Sequence, residues 1–150
     1  MQLKKYDKTG THIIGKNPDR KMIEDAINSI DWSVDDIVGV SIEKDSQNWA
    51  DGSGSLLEGI GLSMMIEDNG VQHVAKSAPE NLETITDYLT AYSEGHIKKC
   101  YELLYEKEFS EQDLTEIIET ATKEQKLSLI PLCVVFLIII AAVFYYFLKG

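Results

Sequence analysis

Val38, Val40 and Ile42 alternate with Gly39, Ser41 and Glu43, a period of two that predicts a strand over residues 37–43 with one buried face. Ile60, Leu62, Met64 and Ile66 repeat that period, and a less regular strand is expected around Trp49. Nearer the start, Gln2 to Ile14 alternates weakly and breaks at Lys8-Thr9-Gly10, which reads as strand, turn, strand. Asn-Gly at 69–70 predicts a two-residue hairpin turn. In that register Asp68 pairs with Val71, Ile66 faces His73 and Met64 faces Ala75, so His73 lies on the apolar face and is expected to be buried and hydrogen-bonded.

Elsewhere the apolar positions take the helical period. Met22, Ile23, Ala26, Ile27 and Ile30 form one stripe, opened by Asn17-Pro18-Asp19 with Asn17 as cap and Pro18 in the first helical position. Ser77-Ala78-Pro79-Glu80 has the form of a capping box for a helix whose inner face is Leu82, Ile85, Tyr88, Leu89 and Tyr92 and which Gly95 ends. Ile97, Cys100, Tyr101 and Leu104 mark another helix. Ser110-x-x-Asp113 caps a last amphipathic one carrying Leu114, Ile117, Ile118 and Ala121. The order predicts an α+β headpiece over residues 1–109, an antiparallel sheet with helices packed on one face, followed by a polar connecting helix over 110–126.

Residues 127–148 carry no charged side chain and read as a single transmembrane helix. At ~1.5 Å per residue it would cover about 33 Å, against a hydrocarbon core of ~30 Å. Leu127 and Leu148 bound the span, with Cys133 and Phe136 inside it. Pro131 falls in its first turn, where a missing N–H does little harm, and Tyr145 and Tyr146 belong at the interface. Lys107, Lys123 and Lys126 precede the span and only Lys149 follows. MQLKKYDKTG is not followed by the apolar run of a signal peptide. Together these predict a tail-anchored protein with its headpiece in the cytoplasm.

All 25 acidic residues and all but one of the 14 basic ones precede the span, so the headpiece is more acidic than the net −11 of the whole chain. That charge repels nucleic acid and suits a basic protein partner, although acidity also serves solubility. With Cys100 in the headpiece and Cys133 in the span, no disulfide can form within the domain.

Residues Asp51 to Gly59 are rich in glycine but lack the lysine of a phosphate-binding loop, and a flexible hairpin loop is expected there. His12, His73 and His96 have no second ligand at metal spacing, so no metal or cofactor is expected. G-x-S-x-G is absent, and the Cys100 thiol is placed for packing rather than reaction. The sequence therefore points away from an enzyme and toward a binding protein.

From Ile37 to Tyr105 the chain resembles small bacterial immunity proteins of the polymorphic-toxin type. The resemblance rests on a strand, Gly52-Ser53-Gly54, the strand Leu62 to Glu67, Asn69-Gly70 with Gln72-His73, and the helix bearing Tyr88-Leu89-Thr90-Ala91-Tyr92 ahead of Gly95. The membrane anchor departs from the usual soluble form. The resemblance implies a non-catalytic protein that neutralises a toxin, basic where that toxin is a nuclease, at the bacterial inner membrane. A tail-anchored adaptor or regulatory subunit of a membrane complex is the alternative.

The expected contact surface is the segment Asp45 to Glu58 around Trp49, with Glu67 and Asp68 at the hairpin end. Trp49 flanked by Asp45, Asp51 and Glu58 would give an aromatic anchor in an acidic rim. The competing expectation makes Trp49 the core of its own strand.

Overall fold

The computed structural model describes residues 1–34, 36–55, 57–66 and 71–110, together with 112, 115 and 116. The span residues Leu127, Pro131, Cys133, Phe136, Tyr145, Tyr146 and Leu148 lie outside the described residues. So do Glu67, Asp68, the Asn69-Gly70 turn and most of the 110–126 segment. No helix among the described residues is long and apolar enough to cross a membrane.

The chain forms β1 (Gln2–Asp7), β2 (Gly10–Lys16), α1 (Arg20–Asn28), β3 (Val38–Asp45), β4 (Asn48–Ser55), β5 (Gly59–Met65), β6 (Gln72–Val74), α2 (Leu82–Ser93) and α3 (Ile97–Tyr105). All six strands join one antiparallel sheet in the order β2-β1-β3-β4-β5-β6. The predicted α+β class is the one observed.

Alternation decides which side is buried. Leu3, Ile42, Ala50, Met64 and His73 are successive partners across five strands, and every one is buried. Val38, Val40, Ile60 and Leu62 share that face. Against it lies the helix layer, with α2 between α1 and α3, α1 touching β1 and β3, and α2 touching β3 and β4. Ile23, Ala26 and Ile27 from α1, and Ile85, Tyr88 and Leu89 from α2, complete the core. A hydrogen bond of 2.6 Å from Arg20 to Asp87 ties α1 to α2 at the surface.

Several local expectations are corrected. Asp19, not Asn17, caps α1, and its carboxylate accepts from the Met22 N–H at 2.8 Å. Asn17 instead takes a left-handed backbone, φ 47°, which its short polar side chain tolerates. Asn81 caps α2 by accepting from the Thr84 N–H at 3.0 Å, whereas Ser77 of the expected capping box donates its hydroxyl to Glu106 of α3's C-cap. Gly95 does end α2, at φ 79°. The β5–β6 register differs from the expected one by two residues: Met64 faces His73 and Met65 faces Gln72. An even slip keeps every side chain on its face, so the hydrophobic pattern alone cannot choose between the two registers.

Residues 51–55 are strand, not the flexible loop expected of them. Gly52 is what permits it, since a Cβ there would come within 2.5 Å of Ile85 Cγ2 on α2. Glycine thus marks where the helix layer rests on the sheet. Ile85 is β-branched and fully buried, so it has little room to yield. Gly52→Ala is expected to destabilise the domain by about 1–3 kcal/mol. Urea denaturation should show a lower midpoint with an unchanged slope. An unchanged midpoint would mean that α2 does not rest on this strand.

Candidate binding face

The other side of the sheet has no helix over it among the described residues, and strand pairing maps it in three rows. Tyr6, Gly39, Ser53 and Gly61 make the first, and Lys4, Ser41, Asp51, Ser63 and Val74 the second. Gln2, Glu43, Trp49, Met65 and Gln72 make the third. Trp49 and Met65 are half-buried side by side, while Ile13 beside Lys4 and Val74 at the far edge are 64% and 55% exposed.

Tyr6 reaches across a whole strand on this face. Its hydroxyl donates to Asp51 Oδ1 from β1 to β4, passing over β3 at Gly39. A Cβ on Gly39 would stand 2.5 Å from Tyr6 Oη, so only glycine leaves that path open. Ser53 Oγ donates to Asp51 Oδ2 at 2.6 Å, two residues along the same strand. Both oxygens of Asp51 thus hold one neutral donor. Burial nevertheless outweighs these bonds and raises the Asp51 carboxyl above the ordinary 3.8. The Tyr6 phenol is pushed far above its usual range by burial first and by the Asp51 charge second.

Lys4, two strands along Asp51's own row, forms an ion pair with Glu43 of the next row. Among the described residues no lysine, arginine or histidine forms an ion pair with Asp51.

Of the residues expected to form a binding rim, the structure unites two and separates two. Trp49 and Asp51 point to the open face from neighbouring rows, so Trp49 lies in a strand yet outside the helix-packed core. Asp45 sits at the β3–β4 turn, where its carboxylate accepts from the Gln47 N–H at 2.9 Å and from Asn48 Nδ2 at 2.9 Å. Those bonds hold its carboxyl below the ordinary range. Glu58 is exposed at the β4–β5 turn, beyond the opposite end of the strand. An extended strand puts distance between residues that a loop would have gathered. Ser53 falls inside the expected segment Asp45 to Glu58, whereas Tyr6 and Met65 lie outside it; Tyr6 and Asp51 are 45 residues apart in sequence and no local motif joins them.

His73 is buried as expected, on the helix-covered side. Its Nδ1 lies 3.1 Å from Tyr105 Oη and its Nε2 3.2 Å from Tyr101 Oη. Burial lowers its pKa. The Cys100 thiol is enclosed in the same region and pushed up to about 12, so it stays protonated. No group of three or more metal-binding side chains occurs among the described residues.

Family models, curated protein sequences and solved structures yield no match to this chain. What the open face can do rests on its own geometry. Ser53 directs its hydroxyl to a carboxylate rather than to a histidine, and His73 is on the other side of the sheet. A half-buried surface with an aromatic, a thioether and a partly desolvated carboxylate is suited to recognition.

Proposed function

We propose that this chain is a non-catalytic, immunity-like protein, held at the cytoplasmic face of a bacterial inner membrane by residues 127–148. Its acidic headpiece captures and neutralises a basic protein on the open face of the sheet. The observation that carries this reading is Trp49. A large aromatic from a central strand stands on the side away from the helices, half-buried beside Met65, although a place in the core lay one residue away at Ala50. Aromatic and methionine side chains set side by side on a surface are frequent anchors of a protein interface. The net charge of −11 favours and steers a basic partner.

The test is affinity capture with the detergent-solubilised full-length protein, followed by a measured affinity for the purified partner. Trp49→Ala is expected to weaken that affinity at least tenfold, roughly 1.4 kcal/mol or more. Its melting temperature should fall by no more than about 5 °C, because the ring contributes little to the core. Wild-type affinity in the variant would remove the open face from the interface.

A further inference from the structure

We propose that Asp51 is the receptor for an arginine side chain of the partner, a reading that rests on the open face being the contact surface. On the central part of this face Lys4 and Glu43 neutralise one another, which leaves the Asp51 carboxylate without a cation among the described residues. Tyr6 and Ser53 hold it in place but bring no positive charge. Water reaches it only in part, and burial already works against its ionised form. A half-desolvated anion of this kind gains more from an incoming cation than an exposed one does.

Geometry selects arginine from among the cations. Each carboxylate oxygen accepts one bond from within the protein, and a carboxylate has about four lone-pair sites, so a pair remains open on each oxygen for a two-pronged donor. Trp49 precedes Asp51 by two residues on the same strand face, and Tyr6 crosses to it from the other side. A planar guanidinium can stack on such rings while its N–H groups reach the carboxylate, which a compact ammonium does less well. Ser41 and Ser63 flank Asp51 in the same row, so its immediate neighbours along that row are small.

The test is an NMR titration of the full-length protein in non-ionic detergent with the peptide acetyl-Gly-Arg-Gly-amide. Its counterparts carry lysine or citrulline, the neutral analogue of arginine, in the central position. The arginine peptide is expected to shift the amide signals of Asp51, Ser53, Tyr6 and Ser63, saturating on the order of millimolar concentration. The lysine peptide should bind more weakly and the citrulline peptide not at all. Asp51→Asn should weaken arginine binding at least fivefold while leaving the melting temperature unchanged or raised, since an amide keeps a hydrogen-bonding oxygen for Tyr6 and removes an unpaired charge.

Loss of binding together with a lower melting temperature would make Asp51 a structural residue and overturn the proposal. Equal shifts from citrulline, equal binding by the variant, or no shifts on this face would overturn it too. Trp49→Ala tests the surface itself through the partner protein, so the receptor can fail while the surface stands.

Discussion

Tyr88→Ala is expected to lower the stability of the headpiece by about 3–5 kcal/mol, the largest effect of any single truncation proposed here. Tyr88 is fully buried in the middle of α2, and its hydroxyl donates to the Ser63 carbonyl on β5 at 2.7 Å. The side chain therefore both fills the layer between helix and sheet and pins one to the other. Truncation removes the ring from a close-packed region that can collapse only in part, and it takes a bond from the Ser63 carbonyl. A domain of this size has a total stability of roughly 5–15 kcal/mol, so the variant should be close to unfolding at 37 °C. Tyr88→Phe keeps the ring and should cost only about 0.5–1.5 kcal/mol. Chemical denaturation of the pair separates the two contributions. If Phe costs as much as Ala, the hydrogen bond and not the packing fixes α2.

His73 sets the second large effect, a loss of stability toward acid. Burial holds its pKa below the ordinary 6.5, so the unfolded chain binds a proton more readily than the folded one. Its neutral form then contributes fully above about pH 6.5, and stability falls by at most about 1.4 kcal/mol per pH unit as the pH drops from there toward the folded pKa. Protonation would also make both ring nitrogens donors, and whichever of Tyr101 or Tyr105 donates to the imidazole would lose its acceptor. Asp51 acts in the opposite sense, because a raised carboxyl favours the folded state as it takes up its proton, so the fall cannot be its work.

His73→Leu should remove the slope contributed by this titration and cost about 1–3 kcal/mol at pH 8, since the buried Tyr101 hydroxyl loses its partner. Urea midpoints between pH 5 and pH 8 measure both. The same slope in His73→Leu as in the parent chain would assign the acid loss to another group.

The open face is not arranged for stability alone. Gly39 is kept free of a side chain so that Tyr6 can cross β3, and Asp51 is partly buried without a cation beside it among the described residues. Neither arrangement is what packing alone would favour.

How much was legible in the sequence differs from element to element. β3 and β5 were plain because a strict period of two runs through Val38, Val40 and Ile42 and through Ile60, Leu62 and Met64. The inner faces of α1, α2 and α3 were equally plain from the helical period. β4 was misread from Asp51 onward, because glycine and serine disfavour strand when judged locally, and what holds them there is α2 resting on Gly52. The helices α1 and α2 begin later than Asn17 and Ser77 suggest. Each has a second good capping residue, Asp19 and Asn81, a few positions later, and the choice depends on where the helix meets the sheet.

The sequence by itself determined which elements form and which side of each is apolar, because periodicity is a local property and burial follows from it. It also determined the strongly acidic balance of the chain, a net charge of −11. Tertiary structure alone decided that β1 lies between β2 and β3, which brings Tyr6 within reach of Asp51. It decided as well that Trp49 belongs with Met65 and Asp51 on the open face, while Asp45 and Glu58 lie at opposite ends of β4. The physical reason is that pairing between distant strands depends on which edges are free when the sheet assembles, and no short stretch of chain records that.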